Sequence, residues 1–248
     1  MGLFRNAFRV YLGNLRVSLW FALLLVFTGI FPLFFNMIYS SGTIFLEYTL
    51  NVPQATLVLQ IIGIALYLLC YSFFLSMIVF GVRKELSTVR VQYYFAEVLH
   101  KIVFKLFAFM VLYVFALLVL SFVLFAFGVP TWLLVALMLL LSLPTLFVPQ
   151  VIVVEELPVF EAVAEAFDFM KKHWMFSLAL LVLGSVVMAV LLYIELLIDQ
   201  AFPTWFAGRI VTLLVSLLFL IPFLESLKTY FYMMKFGIIK SIEELHSR

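Results

Sequence analysis

The chain alternates long apolar runs with short polar or basic segments. Six of the runs approach or exceed the roughly 20 residues that a helix needs to cross about 30 Å of hydrocarbon. The stretches between them are too short to fold as separate soluble domains. The pattern therefore predicts a single all-α transmembrane domain over residues 1–248, with six spans at about 17–39, 57–82, 102–127, 132–154, 174–198 and 205–224.

Three amphipathic segments lead into alternate spans. The clearest begins at Pro158 and places Phe160 and Phe167 on one face at helical spacing, while its acidic side chains take another face. Residues 3–16 repeat the pattern with three arginines off the apolar face, and residues 91–105 carry a less regular version. Helices of this kind lie in the plane of the membrane interface. We therefore expect three interfacial helices on one side of the membrane.

An entry helix followed by two spans recurs three times. The units are 1–84, 88–154 and 155–235, followed by a charged tail at 236–248. Ala7-Phe8 and Ser18-Leu19 return as Ala166-Phe167 and Ser177-Leu178 at a constant offset of 159 residues. The sequence thus predicts an internal repeat that is clearest in the first and third units. The alternative is that the units are unrelated, because amphipathic lead-ins commonly flank spans.

Composition supports the same class of protein. Apolar residues make up 67% of the chain and charged residues 11%, against roughly 45–50% and about 25% in soluble domains. A water-soluble core cannot account for that excess, so we predict an integral membrane protein whose first partner is the lipid bilayer. Cys70 is the single cysteine, which excludes an intrachain disulfide, and a net charge of +2 is too small to indicate a nucleic-acid partner.

The basic residues predict an orientation. In the six-span arrangement, all of the 15 Lys and Arg residues except Arg209 fall on one side. Loops on the cytoplasmic side of a membrane carry an excess of Lys and Arg. We therefore expect a multi-pass protein of the cell membrane with both termini in the cytoplasm. A missed or extra span would change this count.

The fourth span and the segment after it are the most unusual part of the chain. Pro144 and Pro149 interrupt the end of the span, and the chain then reaches Glu155 and Glu156 before the helix that begins at Pro158. Prolines inside a helix remove backbone donors, so we predict a kinked or partly unwound inner end. Discontinuous helices often line the substrate sites of transporters, which makes these two prolines and two glutamates candidate functional or structural residues.

The sixth and fifth spans contribute further charged candidates. Glu225 lies one turn past Pro222, with Lys228 three residues on, and intramembrane carboxylates are functional candidates by default. About 20 residues at 1.5 Å per residue from the start of the span would place Glu225 at the inner boundary of the membrane, which favours a structural ion pair over a gating or substrate role. At the outer ends, Arg209 is the expected partner of the carboxylates Glu195 and Asp199.

Small residues in the fifth span predict close helix packing. Ser185 and Ala189 form a small-xxx-small pair beside Gly184, and small side chains let helix backbones approach each other in membranes. This device is common and is not specific to any one function.

A set of motifs across the second half of the chain resembles a known group of families. The run Pro149-Gln150-Val151-Ile152-Val153-Val154-Glu155-Glu156 precedes Phe160-Glu161-Ala162, Ala166-Phe167-Asp168-Phe169 and Lys172-His173-Trp174, and the last span has Pro222 and Thr229-Tyr230-Phe231-Tyr232. These motifs resemble a six-span group that includes the membrane domain of bacterial glycerophosphoryl diester phosphodiesterases and related uncharacterised bacterial and archaeal membrane proteins. The resemblance implies a six-span fold over most of the chain. It does not imply catalysis, because the sequence holds no counterpart of the soluble phosphodiesterase domain with its His, Glu and Asp metal site.

The remaining motifs give no reaction chemistry. The three histidines have no carboxylate or second histidine at a spacing that makes a convincing metal site, and no Gly-rich phosphate loop, nucleophile elbow or HExxH motif occurs. We therefore expect no catalytic residues, no cofactor and no metal.

Two functions remain in view. The first is a non-enzymatic module that organises lipids or binds a partner, either a second copy of the chain or another membrane protein. The alternative is a small-solute or lipid transporter or channel with its site near the broken fourth span. Few polar residues lie within the predicted spans, which speaks against a wet transport pathway. An enzyme is the third and weakest interpretation.

Overall fold

The described part of the chain is helical apart from one small hairpin. A computed structural model describes residues 2–24, 37–40, 43–46, 53–86, 95–202 and 207–235. Within them, five helices are long and apolar enough to cross a membrane: Gln54–Leu86, His100–Ala126, Ala136–Val154, Trp174–Ala201 and Ala207–Met234. They correspond to the second to sixth predicted spans, which confirms the helical class and the integral membrane character. The tail at 236–248 lies outside the described residues.

The first predicted span is described only at its two ends. Helix α1 (Gly2–Gly13) is followed by α2 (Leu15–Trp20) and a 3₁₀ turn (Phe21–Leu23), whereas residues 25–36 lie outside the described part. At the other end, β1 (Met37–Ser40) pairs antiparallel with β2 (Thr43–Leu46). The prediction that a span helix continues to residue 39 is therefore wrong. The hairpin strands are rich in β-branched and aromatic residues, which favour extended backbone.

The second and third spans form a packed pair of long helices. They are α3 (Gln54–Leu86) and α4 (Phe95–Ala126). Residues 95–126 run as one helix, so the predicted middle entry helix is not a separate element over residues 95–105, and residues 91–94 lie outside the described part. After α4, Gly128 adopts φ 68°, Gly128 N donates to Phe125 O, and Val129 N donates to Leu124 O. This is a Schellman ending, which requires the left-handed conformation that glycine adopts easily.

The fourth span is broken where the prolines predicted. Helix α5 (Thr131–Thr145) ends one residue after Pro144, and α6 (Val148–Val154) begins one residue before Pro149. Pro149 therefore occupies the first turn of α6, where a missing N–H costs nothing. After the elbow at residues 155–158 come α7 (Val159–Lys172) and α8 (Trp174–Ala201), the interfacial helix and the fifth span.

The sixth span contains a second irregularity. It consists of α9 (Ala207–Val215), a π turn (Ser216–Leu220) and α10 (Ile221–Lys235). In a regular helix the carbonyl of Leu218 would accept a hydrogen bond from residue 222, but Pro222 has no N–H. The hydroxyl of Tyr11 in α1 donates to Leu218 O instead, at 3.1 Å. The entry helix thus supplies a donor to a carbonyl that Pro222 cannot bond.

Helix α6 lies at the centre of the core. All seven of its residues are buried, and it contacts α3, α4, α7 and α10. Helix α1 packs on α10 and contributes Ala7 and Val10 to the same core. The turn after α1 is fixed to α3, because Asn14 Nδ2 donates to Glu85 Oε2 at 3.0 Å. Close approach there requires Gly81, since a Cβ at that position would lie 2.5 Å from Asn14 Oδ1.

The small residues of the fifth span do not lie at a close helix contact within the described ranges, so the prediction of close packing there stays a prediction. A Cβ added at Gly184 would meet no atom within 4 Å among the described residues, and Ser185 and Ala189 are exposed. A close approach in this helix occurs at its C-terminal end, where α9 packs on it.

Candidate functional site

The broken fourth span is held by a buried ion pair on the sixth span. Glu225 Oε1 lies 2.6 Å from Lys228 Nζ, and these residues are only 8% and 9% exposed. Gln150 Nε2 in α6 donates to Glu225 Oε2 at 2.8 Å. Lys228 Nζ also donates to the carbonyl of Leu146, in the turn between α5 and α6, at 3.3 Å. We call these four residues the Glu225 cluster.

The Glu225 cluster explains how an interrupted helix is tolerated inside a membrane protein. A broken span leaves backbone carbonyls without helical donors, and lipid offers none in return. Lys228 supplies one donor to the break itself, while Glu225 neutralises the lysine and accepts from the first turn of α6. The ion pair that the i, i+3 spacing predicted is therefore present, and it has two partners in the fourth span.

One polar atom of the Glu225 cluster has no hydrogen-bond partner among the described residues. Gln150 is fully buried, and its Oε1 accepts no hydrogen bond from the part of the chain that the structure describes. Buried polar atoms normally have a partner in the protein or in ordered water. This oxygen is consequently a position in the core where an ordered water molecule could supply a missing hydrogen bond.

The elbow between α6 and α7 is held by basic side chains from the second and third spans. Arg83 Nη1 donates to Val153 O at 2.8 Å and to Glu156 Oε1 at 2.9 Å, and Lys105 Nζ donates to Glu156 O at 2.6 Å. Carbonyls at the end of a helix lack helical donors and carry partial negative charge, so cations there are doubly favourable. We call Arg83, Lys105, Glu155, Glu156 and Tyr232 the elbow clamp.

The remaining contact of the elbow clamp comes from the sixth span. The hydroxyl of Tyr232, which is fully buried, donates to Glu155 Oε1. The ring of Tyr232 packs 4.7 Å from that of Phe169 in α7, measured between centroids. Glu156 itself has φ 61°, a conformation that costs a non-glycine residue roughly 1–2 kcal/mol. Three spans thus converge on a turn that would not be favoured alone.

The interfacial helix α7 has three faces with different surroundings. Ala162, Ala166 and Phe169 are buried against the bundle. Phe160 is 80% exposed and Phe167 39% exposed, so the bulky apolar face that the sequence predicted is not the face that packs on the protein. By helical spacing, the acidic side chains lie on a third face, between the phenylalanine face and the buried face. A helix in the interface plane needs this arrangement, with protein, lipid and water on three sides.

The opposite end of the bundle holds the carboxylates of the fifth span. Glu195 Oε1 lies 3.8 Å from Arg209 Nε, and Thr212 Oγ1 donates to Glu195 Oε2 at 3.1 Å. The predicted partnership of Arg209 with Glu195 is confirmed. Asp199 instead accepts from the backbone N–H of Gly208 at 2.9 Å, where a Cβ would lie 2.4 Å from the carbonyl oxygen of Glu195.

All six candidates named from the sequence lie near the two ends of α6. Two prolines border or begin the helix, two glutamates follow it, and the ion pair lies on α10, which packs on it. The six candidates are Pro144, Pro149, Glu155, Glu156, Glu225 and Lys228.

Sequence reasoning missed four side chains of these clusters. Arg83 and Lys105 were interpreted only as topology signals, although a long basic side chain can also reach the carbonyls of a neighbouring turn. Gln150 was part of a motif, yet an amide inside an apolar run beside a proline is itself a signal of a buried partner. Tyr232 gave no signal apart from its place in the closing motif.

Neither cluster resembles a metal centre. Among the residues that the structure describes, no group of three or more His, Cys, Asp and Glu side chains could hold a metal ion. The arrangement can fix backbone, bury charge as a pair and position the elbow helix.

Comparison with known proteins gives no relative to set beside this geometry. No protein-family model, curated protein or solved structure matches the chain. The family resemblance therefore stays a prediction that rests on the sequence motifs alone.

Proposed function

We propose that this protein is a non-enzymatic membrane module whose interfacial helices organise lipids, or hold a partner protein, at the cytoplasmic leaflet. The observation that carries the proposal is the exposure of bulky apolar side chains on α7. Phe160 and Phe167 are exposed, whereas the helix packs on the bundle through Ala162, Ala166 and Phe169. Side chains of this kind at an interface enter the lipid or contact a partner.

Helix α1 supports the proposal with the same division of faces. Ala7, Val10 and Tyr11 are buried against the bundle, whereas Phe8 and Leu12 are about half exposed. The arginines of α1 lie on another face of the helix. Two interfacial helices therefore present apolar surface that the described part of the chain does not cover.

The proposed orientation puts both helices and both termini on the cytoplasmic side of the cell membrane. Its support is the grouping of basic side chains near one end of the bundle, where Arg83 and Lys105 meet at the elbow. Cytoplasmic loops are enriched in such residues. The anionic lipids of that leaflet would attract them.

The proposed repeat between the first and third units has geometric support. Ser18 Oγ donates to Asn14 O at 3.4 Å, and Ser177 Oγ donates to His173 O at 3.3 Å. Both bonds lie at the turn between an interfacial helix and the next element, at the offset that the sequence motifs share. Two copies of one structural unit would place two similar interfacial helices on the same leaflet.

Labelling depth tests the proposal directly. Single cysteines at Phe160, Phe167 and Glu161 in a Cys70→Ser background would carry spin labels in proteoliposomes, and collision with lipid-soluble oxygen would be compared with collision with an aqueous nickel chelate. We expect the two phenylalanine positions to be lipid-accessible and Glu161, which is exposed on another face, to be water-accessible. Equal aqueous accessibility at all three positions would contradict the proposal.

A transporter is the second candidate, and one observation favours it. The unpaired Gln150 Oε1 beside the Glu225–Lys228 pair would be satisfied by water or a transported ion. The burial of every residue in α6 favours a packed break over a cavity. Flux of ions and small solutes into proteoliposomes separates the two candidates. Selective flux that is lost in the Pro144→Ala, Pro149→Ala double variant would establish transport and overturn the first proposal.

A further inference from the structure

An apolar groove runs along the sixth span beneath the entry helix. Its volume is about 380 Å³. Its walls come from α1, from α8 and from the π turn with the residues on either side of it, and include Phe8, Tyr11, Val187, Leu191, Val215 and Phe219. Nearly all of the lining surface is apolar. A groove with no free polar partner has little to offer water.

The groove is fixed open by the same contact that completes the sixth span. The Tyr11 hydroxyl is committed to Leu218 O, and the rings of Tyr11 and Phe8 both pack 6.1 Å from Phe223, measured between centroids. Because α1 is held in this way, its rings form one end wall and do not fold into the space. The groove is thus part of the packed structure.

The length of the groove matches one leaflet. From Phe223 to Val215 the sixth span rises about 12 Å at 1.5 Å per residue, and half of a hydrocarbon core is about 15 Å thick. The groove starts at the interfacial helix and continues towards the middle of the span. An occupant would therefore be apolar, extended along the helices and anchored at the interface, which describes a phospholipid acyl chain.

The positive charge on α1 indicates which lipid headgroup the site would favour. Arg5 and Arg9 flank Phe8 on α1, three residues before it and one after it, and both are exposed. Neither makes a salt bridge to any residue in the described ranges. Arginines at the headgroup level of a membrane bind phosphate and attract anionic lipids. Arg5 and Arg9 both lie within one helical turn of Phe8, which lines the groove, and a headgroup at this end of α1 would be within reach of their long side chains.

We propose that this groove is a binding site for an anionic phospholipid, with one acyl chain between α1, α8 and the sixth span and the headgroup at Arg5 and Arg9. The site deepens the proposed lipid-organising function and rests on it for the orientation of α1. It also gives the exposed face of α1 a specific ligand in place of general contact with the bilayer.

Native mass spectrometry of the delipidated full chain tests the site. Phosphatidylglycerol and phosphatidylcholine with the same acyl chains would be titrated separately, and the occupancy of the first bound lipid compared. We expect the first phosphatidylglycerol to bind at least fivefold more tightly than phosphatidylcholine. Arg5→Gln with Arg9→Gln should abolish that preference, and Val187→Trp, which fills the groove, should weaken both lipids.

Two matched variants control for loss of charge and for added bulk. Lys171→Gln with Lys172→Gln removes two exposed cations from α7, and Val190→Trp adds an indole to an exposed position of α8 outside the groove. Both should bind lipid as the wild type does. Equal affinity for the two lipids, equal effects of the control and test variants, or a dimer that forms at the groove and is lost in Val187→Trp would each overturn the proposal. These outcomes would not affect the expected position of α7 in the membrane interface. Conversely, water-accessible spin labels at Phe160 and Phe167 would reject the proposed lipid-organising function even if the groove bound lipid.

Discussion

The hydroxyl of Tyr11 donates to the carbonyl of Leu218, the carbonyl that Pro222 leaves without a helical donor. A side chain of the entry helix therefore donates a hydrogen bond to a backbone carbonyl of the sixth span, more than 200 residues away. The contact joins the two ends of the described chain. It also holds α1 against α10, where the groove lies.

Tyr11→Phe should destabilise the protein by about 1–3 kcal/mol, because it leaves a partly buried carbonyl without this donor. The free energy of unfolding in mixed micelles would measure the loss. Tyr193→Phe is the matched control, since Tyr193 is exposed on the fifth span, and its change should be close to zero. Equal values for the two variants would show that the π turn satisfies Leu218 without help from α1.

The Glu225–Lys228 pair should be costly to break from one side. Glu225→Gln or Lys228→Met alone should lower the free energy of unfolding by about 3–5 kcal/mol, because each leaves a charge buried without its partner. The double variant should lose less than the sum of the two. The exposed pair of Asp168 and Lys171, at 3.3 Å, serves as control and should change stability by no more than about 1 kcal/mol. Additive losses at positions 225 and 228 would contradict the pairing.

Arg83→Met should loosen the elbow, since Arg83 bonds both a helix-end carbonyl and Glu156. Charge-assisted hydrogen bonds are worth roughly 1.5–3 kcal/mol, and the loss should appear as faster amide hydrogen exchange in residues 155–162. Lys84→Met removes a neighbouring cation that is exposed. Exchange in the elbow should not respond to it, and an equal response to both variants would make the effect one of net charge.

Two glycines of the fifth and sixth spans should respond to alanine with different sign. Gly208→Ala should destabilise by about 1–3 kcal/mol, because the new methyl meets the backbone carbonyl of Glu195. Gly184→Ala has open space and should be neutral or stabilising by up to about 1 kcal/mol through helix propensity. Thermal unfolding of both variants checks the pair. A loss at position 184 would indicate that another molecule, or a part of the chain outside the described residues, packs there.

Much of the fold could be predicted because spans, breaks and turns have local signals. The five long helices follow from apolar run length, the break in the fourth span from two prolines, and the turn after α4 from Gly128. The β1–β2 hairpin was not predicted. Its apolar β-branched residues continue the hydrophobic run of the first span, and no residue signals the change from helical to extended backbone. The middle entry helix was not separate because no breaker residue divides residues 95–105 from the span.

The interior of the site could be predicted only in part. The spacing of Glu225 and Lys228 on one helix is local, so their pairing was accessible. Their contacts with Gln150 and Leu146 depend on how two distant spans pack. Hydrophobic periodicity also could not predict which face of α7 packs on the protein, because lipid and protein are both apolar surroundings. Helical spacing identified the phenylalanine face, whereas the alanine face is the one that fits the bundle.

Whether the break between α5 and α6 is packed or hydrated decides between the membrane module and the transporter. Hydration at Gln150 in a high-resolution map of the protein in lipid nanodiscs tests it most directly. We expect α6 enclosed by packed side chains, with at most an isolated ordered water on Gln150 Oε1 and the Glu225–Lys228 pair intact. A continuous polar cavity from solvent to Gln150, bordered by Pro144 and Pro149, would show that the break is not packed and would support transport.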